Sequence, residues 1–216
     1  LLDMSPSVDF GTTETQTEKR TMLIDFVTVI SRLLTRHGNR VGAMMFGNKI
    51  QHTIPARGGR LQVLRLVNDM LNQPRLAKSS ITNLKSFLTG ALNSIKRRSL
   101  VFIISDFISE PGWEKPLSLL AQRHEVLAIR LTDPRELELP DVGMVLMEDA
   151  ETGEQLFVDT HDKKFRKRFA EAAQKREQEL NTAFKRAGVD ALALSTEDDL
   201  VRAIVRLAKR RQLARR

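Results

Sequence analysis

Residues Leu100–Ser105 read Leu-Val-Phe-Ile-Ile-Ser, five apolar side chains in succession, with Asp106 directly after the serine. A strand with one wet face alternates apolar and polar residues. One that stays apolar throughout is covered on both sides, as strands are inside a parallel sheet. Runs of this length are also far too short to cross a bilayer. This stretch therefore points to an α/β sheet with helices on both faces.

The rest of the pattern agrees. Residues 19–37 place Leu23, Phe26, Val27, Ile30, Leu33 and Leu34 on one helical face, and Gly38-Asn39 ends the helix. Residues 40–46 read as a strand, Gly47-Asn48 as a hairpin turn and 49–55 as the antiparallel return strand. Helices are expected over 61–71, 83–95 and 113–123, a loop over 73–80 and a strand over 125–131. A polar connection, 132–140, leads to a second hairpin with strands 143–148 and 155–158 around Asp149-Ala-Glu-Thr-Gly-Glu154. A long charged helix over 162–186 is capped by Gly188. A last strand, 190–194, precedes a last helix, 197–210, with Ser195 or Thr196 as its N-cap. With no internal repeat and no low-complexity linker, residues 1–210 read as a single domain and 211–216 as a basic tail.

Composition narrows the function. Hydrophobic residues make up 41% of the 216, enough for a substantial core. The absence of cysteine excludes disulfides, thiolate zinc sites and cysteine nucleophiles, and fits a cytoplasmic protein. A net charge of +8 favours acidic partners, but aromatics at 5% leave few stacking platforms for single-stranded nucleic acid. No membrane segment and no signal peptide are visible; the chain opens in or just before a strand, which reads as a fragment lacking its N-terminal part.

In open parallel sheets ligands sit beyond the carboxyl ends of the strands, where the strand order reverses. Polar residues following predicted strands are therefore the candidates. The first is Asp3-Met-Ser5-Pro-Ser7, where alternate residues of an extended segment share a side and present an acid and two hydroxyls if the chain curls back. Hard oxygens of this kind suit Mg²⁺ or Mn²⁺ better than zinc; the plain alternative is an Asp/Ser/Pro turn. The second is Ser105-Asp106-Phe107, and the third Ser79-Ser-Ile-Thr82-Asn83-Leu84. Alone, Asp106 is an ordinary turn or helix cap and Thr82 an ordinary N-cap. Together they fall on one rim. Asp9, nearby, reads as a solvated loop acid.

Asp-x-Ser-x-Ser after strand one, Thr-Asn-Leu opening a middle helix and Ser-Asp after a buried strand resemble the metal-ion-dependent adhesion site of von Willebrand factor A domains. With Phe10-Gly11-Thr12, Arg40-Val-Gly-Ala-Met-Met-Phe46, Thr132-Asp-Pro134 and Glu151-Thr-Gly-Glu154, the chain resembles, over almost its whole length, the bacterial domain of unknown function 58 family. The resemblance implies a von Willebrand factor A-like (Rossmann-like) three-layer sandwich, mainly parallel with one antiparallel edge strand, plus a small hairpin insertion. It implies a Mg²⁺ (or Mn²⁺) site of Asp3, Ser5, Ser7, Thr82 and Asp106, with a position left for a carboxylate from an acidic-residue-bearing protein ligand. It also implies a MoxR-type AAA+ ATPase as partner. Ser79-Ser80-Ile81 departs from the glycine-rich lead usual before the threonine.

These readings make the chain a non-enzymatic, metal-dependent protein-binding module, an adaptor or co-chaperone. Two other classes stay open. The basic helices of the C-terminal third could bind nucleic acid or another polyanion, although Glu171, Glu177 and Glu179 break up the patch. A metal-dependent phosphoesterase would want a second acid two residues after Asp3, where Ser5 stands. There is no Gly-x-Ser-x-Gly elbow and no phosphate loop, and the four histidines show no ligand spacing.

Overall fold

The computed structural model describes residues 1–9, 18–47, 49–75, 83–148 and 155–214, the side chains of 148 and 210–214 apart. The described residues contain eight strands: β1 (Leu2–Asp3), β2 (Val41–Phe46), β3 (Ile50–Arg57), β4 (Leu100–Ser105), β5 (Glu125–Thr132), β6 (Met144–Glu148), β7 (Gln155–Asp159) and β8 (Asp190–Ser195). The helices are α1 (Lys19–Arg36), α2 (Arg60–Leu71), α3 (Leu84–Ser94), α4 (Glu114–Arg123), α5 (Lys163–Ala187) and α6 (Leu200–Ala214). One sheet has the order β3-β2-β1-β4-β5-β8, parallel except for β3 at its edge; β6 and β7 form a separate antiparallel hairpin.

This is the expected three-layer architecture. On one face α1, α2 and α6 pack Leu23, Phe26, Leu66, Met70 and Leu207 against Met45, Ile104, Ile129 and Leu194 of the sheet. On the other, α3, α4 and α5 bring Phe87, Leu88, Leu117, Leu120 and Phe184 onto Phe46, Ile103 and Ala128. Successive residues of a strand point to opposite faces. The alternate residues of β4, Val101 and Ile103 against Ile104, accordingly enter different cores. That accounts for its unbroken apolar run.

Helix ends follow local chemistry. Gly38, at φ 77°, lets its own N–H reach the Thr35 carbonyl while Asn39 N–H reaches that of Leu34, closing α1 in a Schellman turn. Gly188 does the same for α5, toward Lys185, with Val189 toward Phe184. Two expected boundaries shift. Thr196 is not the N-cap of α6, and neither is Ser195: the Asp199 carboxylate takes the Arg202 N–H at 3.0 Å, and the Thr196 hydroxyl donates to Asp133 instead. The helix then runs to Ala214, through most of what reads as a basic tail. The ordinary N-cap reading of Thr82 is also corrected: the cap of α3 is Asn83, accepting from Ser86 N–H at 2.9 Å, and the helix starts one residue later than expected.

Gly42 sits where β2 slips register against β3; a Cβ there would lie 2.6 Å from the Ile54 carbonyl oxygen and 2.8 Å from Ala56 N. Those are backbone atoms, which cannot swing aside. Gly42→Ala should therefore cost about 1–3 kcal/mol, read as a lower urea midpoint with an unchanged m-value.

Candidate functional site

β1 lies at the centre of the sheet, and the chain passes to β2 on one side of it and later to β4 on the other. This reversal is where an open α/β sheet leaves a crevice at its carboxyl edge. Asp3 ends β1 and Ser105-Asp106 ends β4, so the two aspartates meet there, and both are buried.

The first motif does not stay extended. The strand stops at Asp3, the Ser5 N–H folds back onto Asp3 Oδ1 at 3.0 Å, and Pro6–Asp9 forms a 3-10 turn. The hydroxyls converge through this turn: Ser5 Oγ lies 3.1 Å from Ser7 Oγ, and both side chains are buried. The other oxygen of Asp3 accepts from the Ser105 hydroxyl at 2.5 Å, and Ser105 Oγ accepts from the Phe107 N–H at 2.9 Å. Phe107 has φ 58°, the one positive φ among the described residues other than glycine. A left-handed residue with a side chain costs about 1–2 kcal/mol. Its ring packs 4.9 Å from Phe184 and 5.6 Å from Trp113, which holds it there. The kink turns Asp106 so that its Oδ1 accepts from Ile108 N–H at 3.0 Å.

Two residues that carry no signal in the three motifs complete the cluster. Lys19, at the start of α1, is fully buried; its ammonium lies 2.8 Å from Asp106 Oδ2 and 2.6 Å from Glu136 Oε1. Glu136 comes from the turn after β5, where Asp133 and Glu136 form a reciprocal capping box. Each had a clue. A lysine at a helix start faces the positive end of the helix dipole and needs a reason to be there. Asp133-Pro-Arg-Glu136 has the spacing of a capping box. Asp9 is not simply solvated, since its carboxylate takes Arg20 at 2.9 Å. Thr82, with 79–81, lies outside the described residues, as do 10–12 and 149–154.

The electrostatics are lopsided. Burial tends to lower the Lys19 pKa, but Asp106 and Glu136 outweigh it and raise the group above its usual value. Burial pushes Glu136 up, against the pull of Lys19. Asp3 has no cationic partner among the described residues. Burial first, then repulsion from Asp106, pushes it up to about 7, against its hydrogen bonds from Ser105 and Ser5. Among the described residues no three His, Cys, Asp or Glu side chains are placed to hold an ion by themselves, so an ion here would draw on the serine hydroxyls.

The chain belongs to the family described as protein of unknown function DUF58, whose pattern matches residues 1–179. It is 34% identical over 212 residues to the uncharacterized protein Mb1516 of Mycobacterium bovis, covering 98% of this chain and 66% of that protein's length. It is 36% identical over 159 residues to the uncharacterized protein MAV169 of Mycobacterium avium, covering 74% of this chain and 94% of that one. Two solved structures share the fold. One is the conserved hypothetical protein BatB of Bacteroides thetaiotaomicron (TM-score 0.57, 14% identity, 100% of this chain and 97% of that one). The other is an aerotolerance-related membrane protein of Bacteroides fragilis (TM-score 0.54, 13% identity, 86% and 96%). No helix among the described residues is long and apolar enough to cross a membrane.

Without metal, the folded chain keeps the Asp3 proton up to about pH 7, while an unfolded aspartate releases it near ~3.9. Between those values the folded state binds more protons, so Asp3 makes stability fall as pH rises, by at most about 1.4 kcal/mol per pH unit. The test is a difference between parent and variant. In urea titrations with chelator, Asp3→Asn should gain stability relative to the parent between about pH 4 and 7; parallel curves would contradict the assignment.

Proposed function

We propose that the chain is a non-enzymatic, metal-dependent docking module of the von Willebrand factor A type, acting as an adaptor or co-chaperone. Mg²⁺ or Mn²⁺ would be held by Asp3, Ser5, Ser7, Thr82 and Asp106, the serines and the threonine directly or through water and the aspartates directly or by holding those waters, as the resemblance implies. The observation that carries this reading is the buried Asp3 carboxylate facing Asp106 without a cation of its own, next to hydroxyls 3.1 Å apart. Adjacent ligands of an octahedral Mg²⁺ with oxygens at 2.0–2.1 Å are about 3 Å apart, so the serine pair has the right spread, although a hydrogen bond between the hydroxyls has it too. An all-oxygen set with an uncompensated acid fits a hard divalent ion. When bound, the ion supplies a Lewis-acid position open to a carboxylate of a partner protein.

The partner we propose, from the resemblance to the family, is a MoxR-type AAA+ ATPase, with an acidic side chain of the protein ligand reaching the rim. Eight residues beyond Glu136, the β6–β7 hairpin leaves Met144, Leu146 and Phe157 exposed. An apolar face of that kind suits contact with a protein better than with a polyanion. Along α5 and α6, Lys167 pairs with Glu171 and Arg202 with Asp199. Those pairs suit a solvated face.

Millimolar Mg²⁺ or Mn²⁺ should raise the melting temperature by binding the folded state preferentially. Asp3→Ala should abolish that rise while leaving the circular dichroism spectrum unchanged. A melting curve indifferent to metal would overturn the reading. Affinity capture with and without EDTA then tests the partner: an ATPase retained only without chelator is the expected result.

A further inference from the structure

Both oxygens of Asp106 are engaged. Its Oδ1 takes the Ile108 N–H at 3.0 Å and its Oδ2 takes the Lys19 ammonium at 2.8 Å. The ammonium is at once 2.6 Å from Glu136. Nothing about this arrangement is forced by helix chemistry, since a cation at a helix start is disfavoured. The lysine side chain is fully buried and reaches the same two-aspartate crevice in which the docking ion is placed. A free cation drawn to Asp3 thus meets, across Asp106, a cation already tethered to the chain.

We propose that Lys19 sets the metal affinity of this rim: its ammonium is a built-in counter-ion that competes with the free divalent ion for Asp106 and holds the site at weak affinity. The inference rests on the docking reading above. Three physical statements support it. The two cations are like charges sharing one carboxylate in a buried site, where repulsion is screened little. Glu136 gives the ammonium a second anchor, so it does not swing into water when the ion arrives. Asp3, hydrogen-bonded by the Ser5 N–H and the Ser105 hydroxyl, has no cationic partner among the described residues and stays open to an ion.

The test is calorimetric titration of the chain with Mn²⁺ at fixed pH and salt. Lys19→Met should bind Mn²⁺ at least tenfold more tightly than the parent. Because that variant leaves Asp106 and Glu136 buried without their partner, at a cost in stability, Lys19→Met with Glu136→Gln provides a charge-matched version, and it should tighten binding in the same direction. Equal or weaker binding by a folded variant, while the parent binds Mn²⁺ and Asp3→Ala does not, would overturn the competition and leave the docking reading standing. Absence of binding by the parent and both variants would overturn the docking reading and the competition with it.

Discussion

The rim is organised by the ammonium of Lys19 between Asp106 and Glu136. Taking a charge out of water costs several kcal/mol per ion even after the protein relaxes, and only close, well-aligned partners offset it. Here one cation has two carboxylates, each from a different part of the fold: the end of β4 and the turn after β5, with the lysine itself at the start of α1. Three segments far apart in sequence are thereby fixed at one point. Removing any member would leave a buried charge unbalanced, which is far more costly than never having had the pair.

That junction also explains the backbone around it. The left-handed Phe107 turns Asp106 toward Lys19, and the packing of Phe107 on Trp113 and Phe184 holds the strained residue in place. The aromatic ring on one face of the sheet therefore positions a carboxylate at its edge. At the end of β1, the Asp3 turn is held by the Ser5 N–H and the Ser105 hydroxyl, so β1 and β4 are tied by side chains just where their ladder stops.

Much of this was legible in the amino-acid sequence, for identifiable reasons. The unbroken apolar run of β4 reports burial on two faces, Gly38 and Gly188 report left-handed helix ends, and Gly47-Asn48 falls between β2 and β3 where a hairpin was expected. Each of these is a local property. Lys19 and Glu136 could not be read the same way, because their role depends on pairing over 87 and 117 residues. The cap of α6 was misplaced for a related reason. Thr196 has the right side chain for an N-cap, but its hydroxyl goes to Asp133, 63 residues away, and Asp199 caps the helix instead. Where a polar side chain has both a local and a distant partner, sequence alone favours the local one.

The charge balance bears on what kind of ligand such a rim can accept. Asp106 and Glu136 share one ammonium and Asp3 has no cation of its own among the described residues, while Arg130, which also feels Asp106 and Glu136, is paired with Glu177. Once Asp3 ionises, above about pH 7, the surplus is negative and sits on Asp3. An acidic ligand approaching that rim is repelled, and burial of the site makes the repulsion stronger than it would be at a wet surface. In the docking reading, a divalent ion reverses the local sign and makes the same ligand welcome. Lys19 sharpens that condition. In that reading, its one positive charge is too little to neutralise the three acids once they are ionised, yet enough to discourage a weakly held ion. A rim built this way would distinguish metal-loaded from metal-free protein by electrostatics, without requiring the sheet beneath it to rearrange.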